Sequence, residues 1–400
     1  MSPMHYSVAA NWDLGLLDQL AGTSVESLYG QMWGDPLGGG RMALFIPKVG
    51  KEEVATFIAE VRKRGLGFNY LINSTCLDNL EFTKKGYKKI AEHIEWISST
   101  GVNMVTVALP FLLPMVKKEF PHLKVCVSSF ARVQNVQLAR FWKETGADKI
   151  VLPEAIGRDF RVLRLIRETV DCELELIANH CCLFQCPLDL HHRNMVSHGS
   201  QEDHPCGGFA PDYCKVVCQR LKLFDLSEMI KSRWIRPEDV PCYEEIGIDS
   251  LKLVERFRET GSLIQIINAY EQKSYTGNMV ELLTLPQKGV FLSPNLEVLH
   301  RTDLIEPEEM EEVMGVLREP FPGNIYIDNS KLNGFLDYFK KVDCIHTDCK
   351  RCGYCERVAS QAISVDEAWR KEMIARFDKA VEILITGKIA GFDIMTENLV

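Results

Sequence analysis

Short apolar runs rich in β-branched residues alternate with amphipathic stretches of helical period from the N-terminus onward, and that alternation leaves few folds open to this chain. The strand-like runs are His5 to Asn11, Val25 to Gln31, Gly67 to Asn73, Val102 to Ala108, Lys124 to Ser129, Lys149 to Glu154, Glu173 to Asn179 and Ile248 to Glu255, eight in all. Between them, Lys51 to Arg64, Thr83 to Ser98, Gln134 to Thr145 and Arg158 to Thr169 repeat their apolar residues every three or four positions. Gly65, Gly101 and Gly146 stand where left-handed helix caps are wanted. Eight such units predict an α/β protein built as a TIM-type (β/α)8 barrel over residues 1–275. A doubly wound open sheet is the alternative, but no GxGxxG turn supports it.

The seventh run is not followed by a simple helix. About seventy residues separate it from the eighth, so a cysteine-rich insertion is expected over residues 180–245, at the barrel edge where strands end and reactive loops open. It holds Cys181, Cys182, Cys186, Cys206, Cys214 and Cys218, with His180, His191, His192, His198 and His204 among them. Residues 276–400 form a C-terminal extension with a second cysteine group, Cys344, Cys349, Cys352 and Cys355. No internal repeat or low-complexity segment interrupts this order.

Composition narrows the partners. A chain that is 46% hydrophobic and 25% charged is of the soluble globular kind. The formal charge of -9 offers no general attraction to a phosphate backbone, which argues against nucleic acid as the main partner. Met1 to Tyr6 lacks a charged-then-apolar leader, and no apolar window is long enough for a membrane span, so a cytoplasmic setting is expected. In a reducing compartment, clustered cysteines read as metal ligands or catalytic thiols before they read as disulfides.

Cys182 with Cys186 and Cys214 with Cys218 make two CxxxC pairs whose thiolates can converge on one centre. Four sulfurs suit tetrahedral zinc or an iron-sulfur cluster, and the wide spacing suits the larger 4Fe-4S cube. Cys181, Cys206 and Cys242 are the substitute ligands. The second group ends in C-x2-C-x2-C, the tight run by which ferredoxins hold 4Fe-4S clusters, with zinc again the alternative. Cys76, Cys126 and Cys172 stand singly and read as core filler.

In a barrel, strand ends share one site, and here they are polar: Asn11, Tyr29, Gln31, Asn73, Ser128, Glu154, His180, Glu255 and Arg256. Arg41 follows three glycines, a flexible turn expected to carry its guanidinium over the mouth. Arg41 and Arg256 would fork onto a small anionic substrate, Glu154 would act as general base, and His180 would titrate near neutrality to return the proton. A structural Glu154–Arg256 pair is the bland alternative. Lys252 reads as a strand lysine closing a salt bridge, with a proton-transfer role as the sharper reading.

Leu152-Pro153-Glu154 after Gly146-Ala147-Asp148, Glu173-Leu174-Glu175-Leu176-Ile177 leading into cysteines, and Gly247-Ile248-Asp249-Ser250-Leu251-Lys252 with Glu255-Arg256 together resemble the collagenase-like peptidase family U-32. The resemblance implies a peptidase label. It also implies branches of oxygen-independent hydroxylases that hold a 4Fe-4S cluster, modify ubiquinone precursors or RNA pyrimidines and, in the RNA branch, take the hydroxyl from prephenate. On that resemblance the expected function is an iron-sulfur enzyme acting on a small anionic molecule at the barrel mouth. An electron donor and a homologous partner chain are its expected partners. A collagenase-like peptidase and a non-enzymatic iron-sulfur scaffold are the other readings. Against the peptidase stand the absence of GxSxG and HExxH motifs and of any recognisable Cys–His arrangement.

Overall fold

The computed structural model describes residues 3–202, 204, 212–256, 258–287 and 307–386. Eight parallel strands close into a barrel in chain order: β1 (His5–Ala9), β2 (Val25–Gly30), β3 (Gly67–Ile72), β4 (Met104–Val107), β5 (Lys124–Val127), β6 (Lys149–Leu152), β7 (Glu173–Ile177) and β8 (Ser250–Leu253). Closure is by β1 on β8, with His5 opposite Ser250 and Val8 opposite Leu253. All eight expected strands are present, each within its expected run.

Alternation along each strand separates two environments. Tyr6, Val8, Leu28, Phe68, Tyr70, Val105 and Val125 point outward into the helices and are buried there. The alternate residues fill the barrel. Ala9, Tyr29 and Leu71 make one apolar cluster, and Met104, Cys126, Val151 and Ile177 make another. Between these side chains sits a polar knot. Glu175 accepts from Ser7 Oγ at 2.8 Å and Ser250 Oγ at 3.1 Å, while Lys149 Nζ lies 2.9 Å from Glu175 and 3.1 Å from Glu26. Burial alone would protonate Glu175; the charges of Lys149 and then Lys252 hold its carboxyl below the usual range.

The helices obey the local signals. Asn135 caps the helix Val136–Thr145 by accepting from Leu138 N–H, and Gly146, at φ +116°, ends it in the left-handed conformation. After β7 the chain forms helices Asp189–His198 and Tyr213–Phe224 before returning to the barrel. Beyond the barrel, Asn179 clasps the chain that leaves it, donating from Nδ2 to Leu282 O at 2.9 Å while its own carbonyl accepts from Thr284 N–H. A small antiparallel sheet, β9 (Ile325–Ile327) with β10 (Ile363–Val365), precedes the helix Glu367–Thr386. That helix packs on Tyr213–Phe224, with Arg370 donating to the Leu223 carbonyl and Arg220 reaching Asp378 at 2.6 Å. None of the helices described is long and apolar enough to cross a membrane.

Candidate active site at the barrel mouth

The ends of β2, β3, β5, β6, β7 and β8 surround a cavity of about 90 Å³. Its wall includes Tyr29, Asn73, Ser128, Glu154, His180 and Arg256, so the polar strand ends do converge. Two hydrogen bonds stiffen the rim: Asn73 Nδ2 to Ser128 Oγ at 2.8 Å, and Tyr29 OH to the Leu253 carbonyl at 3.0 Å.

Glu154 opens the short turn after β6 and His180 follows β7, which makes them neighbours across the mouth. Their contact is 2.6 Å, Glu154 Oε1 to His180 Nδ1. The same imidazole lies 3.5 Å (Nδ1) and 3.9 Å (Nε2) from the Cys182 sulfur. These three ligand atoms all fall within 4.8 Å of one another, a grouping able to hold a metal. Arg193, on the first helix of the insertion, approaches the second Glu154 oxygen at 3.5 Å. Arg193 is itself set by Asp189 at 2.7 Å and by the Phe130 ring, 4.7 Å beneath its guanidinium. Burial pushes Glu154 up, but the hydrogen bond and charge of His180, then the charge of Arg193, outweigh it and bring the carboxyl to about 2. His180 is pulled down by burial and raised further by Cys182 and Glu154, ending well above the ordinary imidazole range.

The cations of the site differ from one another. Arg41 pairs with Glu255. Arg256 donates from Nη1 to Gln31 Oε1 at 3.0 Å, and burial together with the nearby Arg41 charge lowers it to about 9. Lys252 makes no ion pair among the described residues: its ammonium sits 3.6 Å from the Tyr29 ring centroid, and burial lowers its pKa against the raising pull of Glu175. The cavity therefore has Arg41, Lys252 and Arg256 on its wall with two carboxylates, Glu255 bound to Arg41 and Glu154 bound to His180.

Beside this cavity the paired cysteines gather. Cys182 and Cys186 lie on the loop after β7, bent by a left-handed Gln185 at φ +51°, while Cys214 and Cys218 share one face of the helix Tyr213–Phe224. Burial, then the sulfurs of Cys218 and Cys182, push Cys186 up to about 11 against a hydrogen bond at Leu188; burial, Asp212, Cys186 and Cys218 push Cys214 up to about 12. Lys222 tests what this group can hold. It is 1% exposed, and the charges that favour its ammonium are those of Cys218, Cys181 and Cys182, with a hydrogen bond to Cys218 and no carboxylate pair among the described residues. A buried ammonium needs a buried anion, which four thiols supply once deprotonated onto a metal centre. The donor set thus fits a thiolate-held centre.

The second cysteine group lines a cleft of about 580 Å³. Cys349 is exposed, while Cys344, Cys352 and Cys355 are half-buried. Tyr338 OH lies 2.9 Å from the Cys352 sulfur, and its ring stacks on Tyr354 at 3.8 Å. Stacked side chains connect the two groups. Phe184, between Cys182 and Cys186, carries the Arg233 guanidinium 3.8 Å from its centroid; Arg233 also lies 5.2 Å from Phe339, and Phe339 packs edge-on against Tyr354, the neighbour of Cys355.

Several expectations give way. The Gly38–Gly40 turn is packed, not flexible: Gly39 N–H donates to Ser200 Oγ at 2.8 Å, and a Cβ on Gly39 would meet Gln31 Oε1 at 1.7 Å. Glu154 pairs with His180 and Arg193 and not with Arg256. His180 does not rest near neutrality, because it faces a carboxylate and a sulfur together. Lys252 closes no salt bridge among the described residues, and Cys76 is not core filler but half-exposed beside Asp78 and His198. Cys181 is buried in the main core, Cys242 has Lys340, Asp239 and Glu245 as charged neighbours, and Cys206 lies outside the described residues. Sequence reasoning missed Arg193 and Lys222, both basic residues on insertion helices; only their placement in a cysteine-rich segment hinted at them.

A (β/α)8 barrel with a charged cavity and a thiol group at its mouth defines a class of enzyme scaffold. Residues 47–189 match the family model of peptidase family U32. It is 29% identical over 329 residues to MJ1657 of Methanocaldococcus jannaschii, named an uncharacterized protease, covering 82% of this chain and 86% of that one. It is 23% identical over 236 residues to tRNA hydroxylation protein P1 of Bacillus subtilis, covering 55% of this chain and 52% of that protein. The solved structure of the U32 peptidase Mk0906 aligns with a TM-score of 0.49 at 21% identity, covering 63% of this chain and 92% of that chain.

Proposed function

We propose that the chain is an iron-sulfur enzyme that moves a proton and electrons at a small anionic molecule held in the barrel mouth, in the manner of an oxygen-independent hydroxylase. One observation carries the reading: the Glu154–His180 couple touches both the cationic cavity and the sulfur of Cys182. The likeness to the tRNA hydroxylation protein lends support. Cys182, Cys186, Cys214 and Cys218 would hold a 4Fe-4S cluster, and Cys344, Cys349, Cys352 and Cys355 a second one or zinc. A bound cluster would supply one-electron transfer.

The chain's own groups do the rest. Arg256 and Lys252 draw in and orient the anion, and a dry cavity strengthens that attraction. Glu154, ionised, accepts a proton at Oε1, which His180 shares and can pass on from Nδ1. Electrons from a one-electron donor would enter at the exposed C-terminal group and cross through the Phe184–Arg233–Phe339 contacts.

A second reading has its own geometrical support. Cys182, His180 and Glu154 are the residue types of a cysteine hydrolase, in keeping with the family's peptidase label. Against it, Glu154 and Cys182 both approach Nδ1 most closely, whereas a triad imidazole presents opposite nitrogens to its acid and its nucleophile. Anaerobic purification with iron and sulfide analysis, followed by metabolite comparison of a deletion strain and turnover on the accumulated compound, tests the first reading. Iron-free protein that is inactivated by stoichiometric alkylation of Cys182 and cleaves peptides would replace it with the second.

A further inference from the structure

We infer that Cys76, Asp78 and His198, with His204 stacked beside them, form a zinc site, separate from the paired cysteines, that fastens the insertion to the turn after β3. Cys76 and Asp78 belong to that turn; His198 is the last residue of the helix Asp189–His198, and His204 follows it. One ligand atom each from Cys76, Asp78 and His198 lies within 4.8 Å of the others. Cys76 Sγ stands 3.6 Å from Asp78 Oδ1, His198 Nε2 stands 3.7 Å from the same oxygen, and His204 Nε2 stands 3.8 Å from Oδ2.

The nitrogen-to-oxygen separations are too long for good hydrogen bonds. They approach the roughly 3.3–3.5 Å that ligand atoms keep when each is about 2.0–2.3 Å from one tetrahedral ion. His198 Nε2 is buried and has no hydrogen-bond partner among the described residues, a state that native structures rarely leave unexplained. His204 stacks on His198 at 4.3 Å with 15° between their planes, so their in-plane nitrogens run side by side and His198 is the imidazole within reach of Cys76 and Asp78. Asp78 pairs with both imidazoles only at long range, through a different oxygen for each.

One sulfur, one carboxylate oxygen and one imidazole nitrogen form a borderline-soft set that suits zinc over magnesium or calcium. These residues lie outside the lining of the mouth cavity, so the role is structural. What it would hold is the seam on which Thr75 N–H donates to Ser197 Oγ at 3.0 Å and Gln201 Nε2 to the Cys76 carbonyl at 2.8 Å. The helix that ends at His198 carries Arg193 to Glu154, so the ion would brace the mouth from outside.

The test uses the full chain with Cys182, Cys186, Cys349 and Cys352 all changed to Ser, so that neither cysteine group keeps the four thiols of its own centre, and compares it with the same variant carrying Cys76→Ser. The quadruple variant should retain about one zinc per chain and, with cobalt in its place, show thiolate-to-cobalt charge-transfer absorption. His198→Ala and Cys76→Ser in the wild-type chain should each remove one zinc equivalent, and the Cys76→Ser cobalt form should lose the charge-transfer band. Chelation should lower the melting temperature of the parent and leave that of His198→Ala unmoved. A folded quadruple variant that takes up neither zinc nor cobalt overturns the site, as does zinc content unchanged by His198→Ala. Should His198→Ala fail to fold, the cobalt spectrum of the quadruple variant decides alone.

Discussion

Glu154 and His180, on successive strand ends, meet at 2.6 Å, and His180 Nδ1 is 3.5 Å from the sulfur of Cys182. This contact joins the substrate cavity to the thiol group. Glu154→Gln should keep the fold and the iron but lower anaerobic turnover about 10²-fold or more, the scale for losing a general base. Thermal melting run beside turnover separates the roles: a variant that melts early yet keeps its rate per folded molecule would make the pair structural. Arg256→Lys should chiefly weaken substrate binding, since an ammonium cannot reproduce the planar fork.

Lys149 and Glu175 form the ion pair inside the barrel, with side chains 4% and 1% exposed. Lys149→Met would leave the buried carboxylate without its ion-pair partner, with only the Lys252 charge and two serine hydroxyls to hold it, and should cost about 3–5 kcal/mol in urea unfolding. Glu175→Gln in the same background should recover part of the loss. No recovery would mean that packing, not charge, sets the cost.

Asp35 links pH to the loop that bears Arg41. Fully buried, it accepts from Tyr70 OH at 2.7 Å and from the Leu37 and Gly38 amides, with His93 Nε2 at 3.0 Å. Burial raises its pKa, but His93 and these hydrogen bonds overcome that and set it below the usual carboxylate value. Its contribution is therefore present above the unfolded-state pKa of about 4 and is lost as pH falls through the lower folded value. Denaturation at stepped pH should show stability falling in that window for the wild type, with a shallower slope for Asp35→Asn. Equal slopes would reject the linkage.

The fold was legible because it is written in local periods. Tyr6 and Val8 face out while Ser7 and Ala9 face in, an alternation that needs no tertiary knowledge to see. The convergence of Glu154, His180 and Arg256 followed from strand order alone. What stayed hidden were partnerships between distant segments: Arg193 reaching Glu154, Lys222 among the thiols, and His198 beside Cys76. No periodicity records which insertion helix folds back over which strand end.

The two cysteine groups should be separable, because each holds four thiols of its own. Cys182→Ser with Cys186→Ser should remove only the centre at the mouth, and Cys349→Ser with Cys352→Ser only the distal one. Loss of all iron from either folded double variant would mean a single shared centre.

Iron and acid-labile sulfide, measured on anaerobically purified full-length protein, test the central claim most directly. The account expects brown protein with about four iron and four sulfide at the mouth group, retained in Cys349→Ser/Cys352→Ser and lost in Cys182→Ser/Cys186→Ser. Colourless, folded protein that carries zinc on the mouth cysteines and takes up neither iron nor sulfide on anaerobic reconstitution would contradict it.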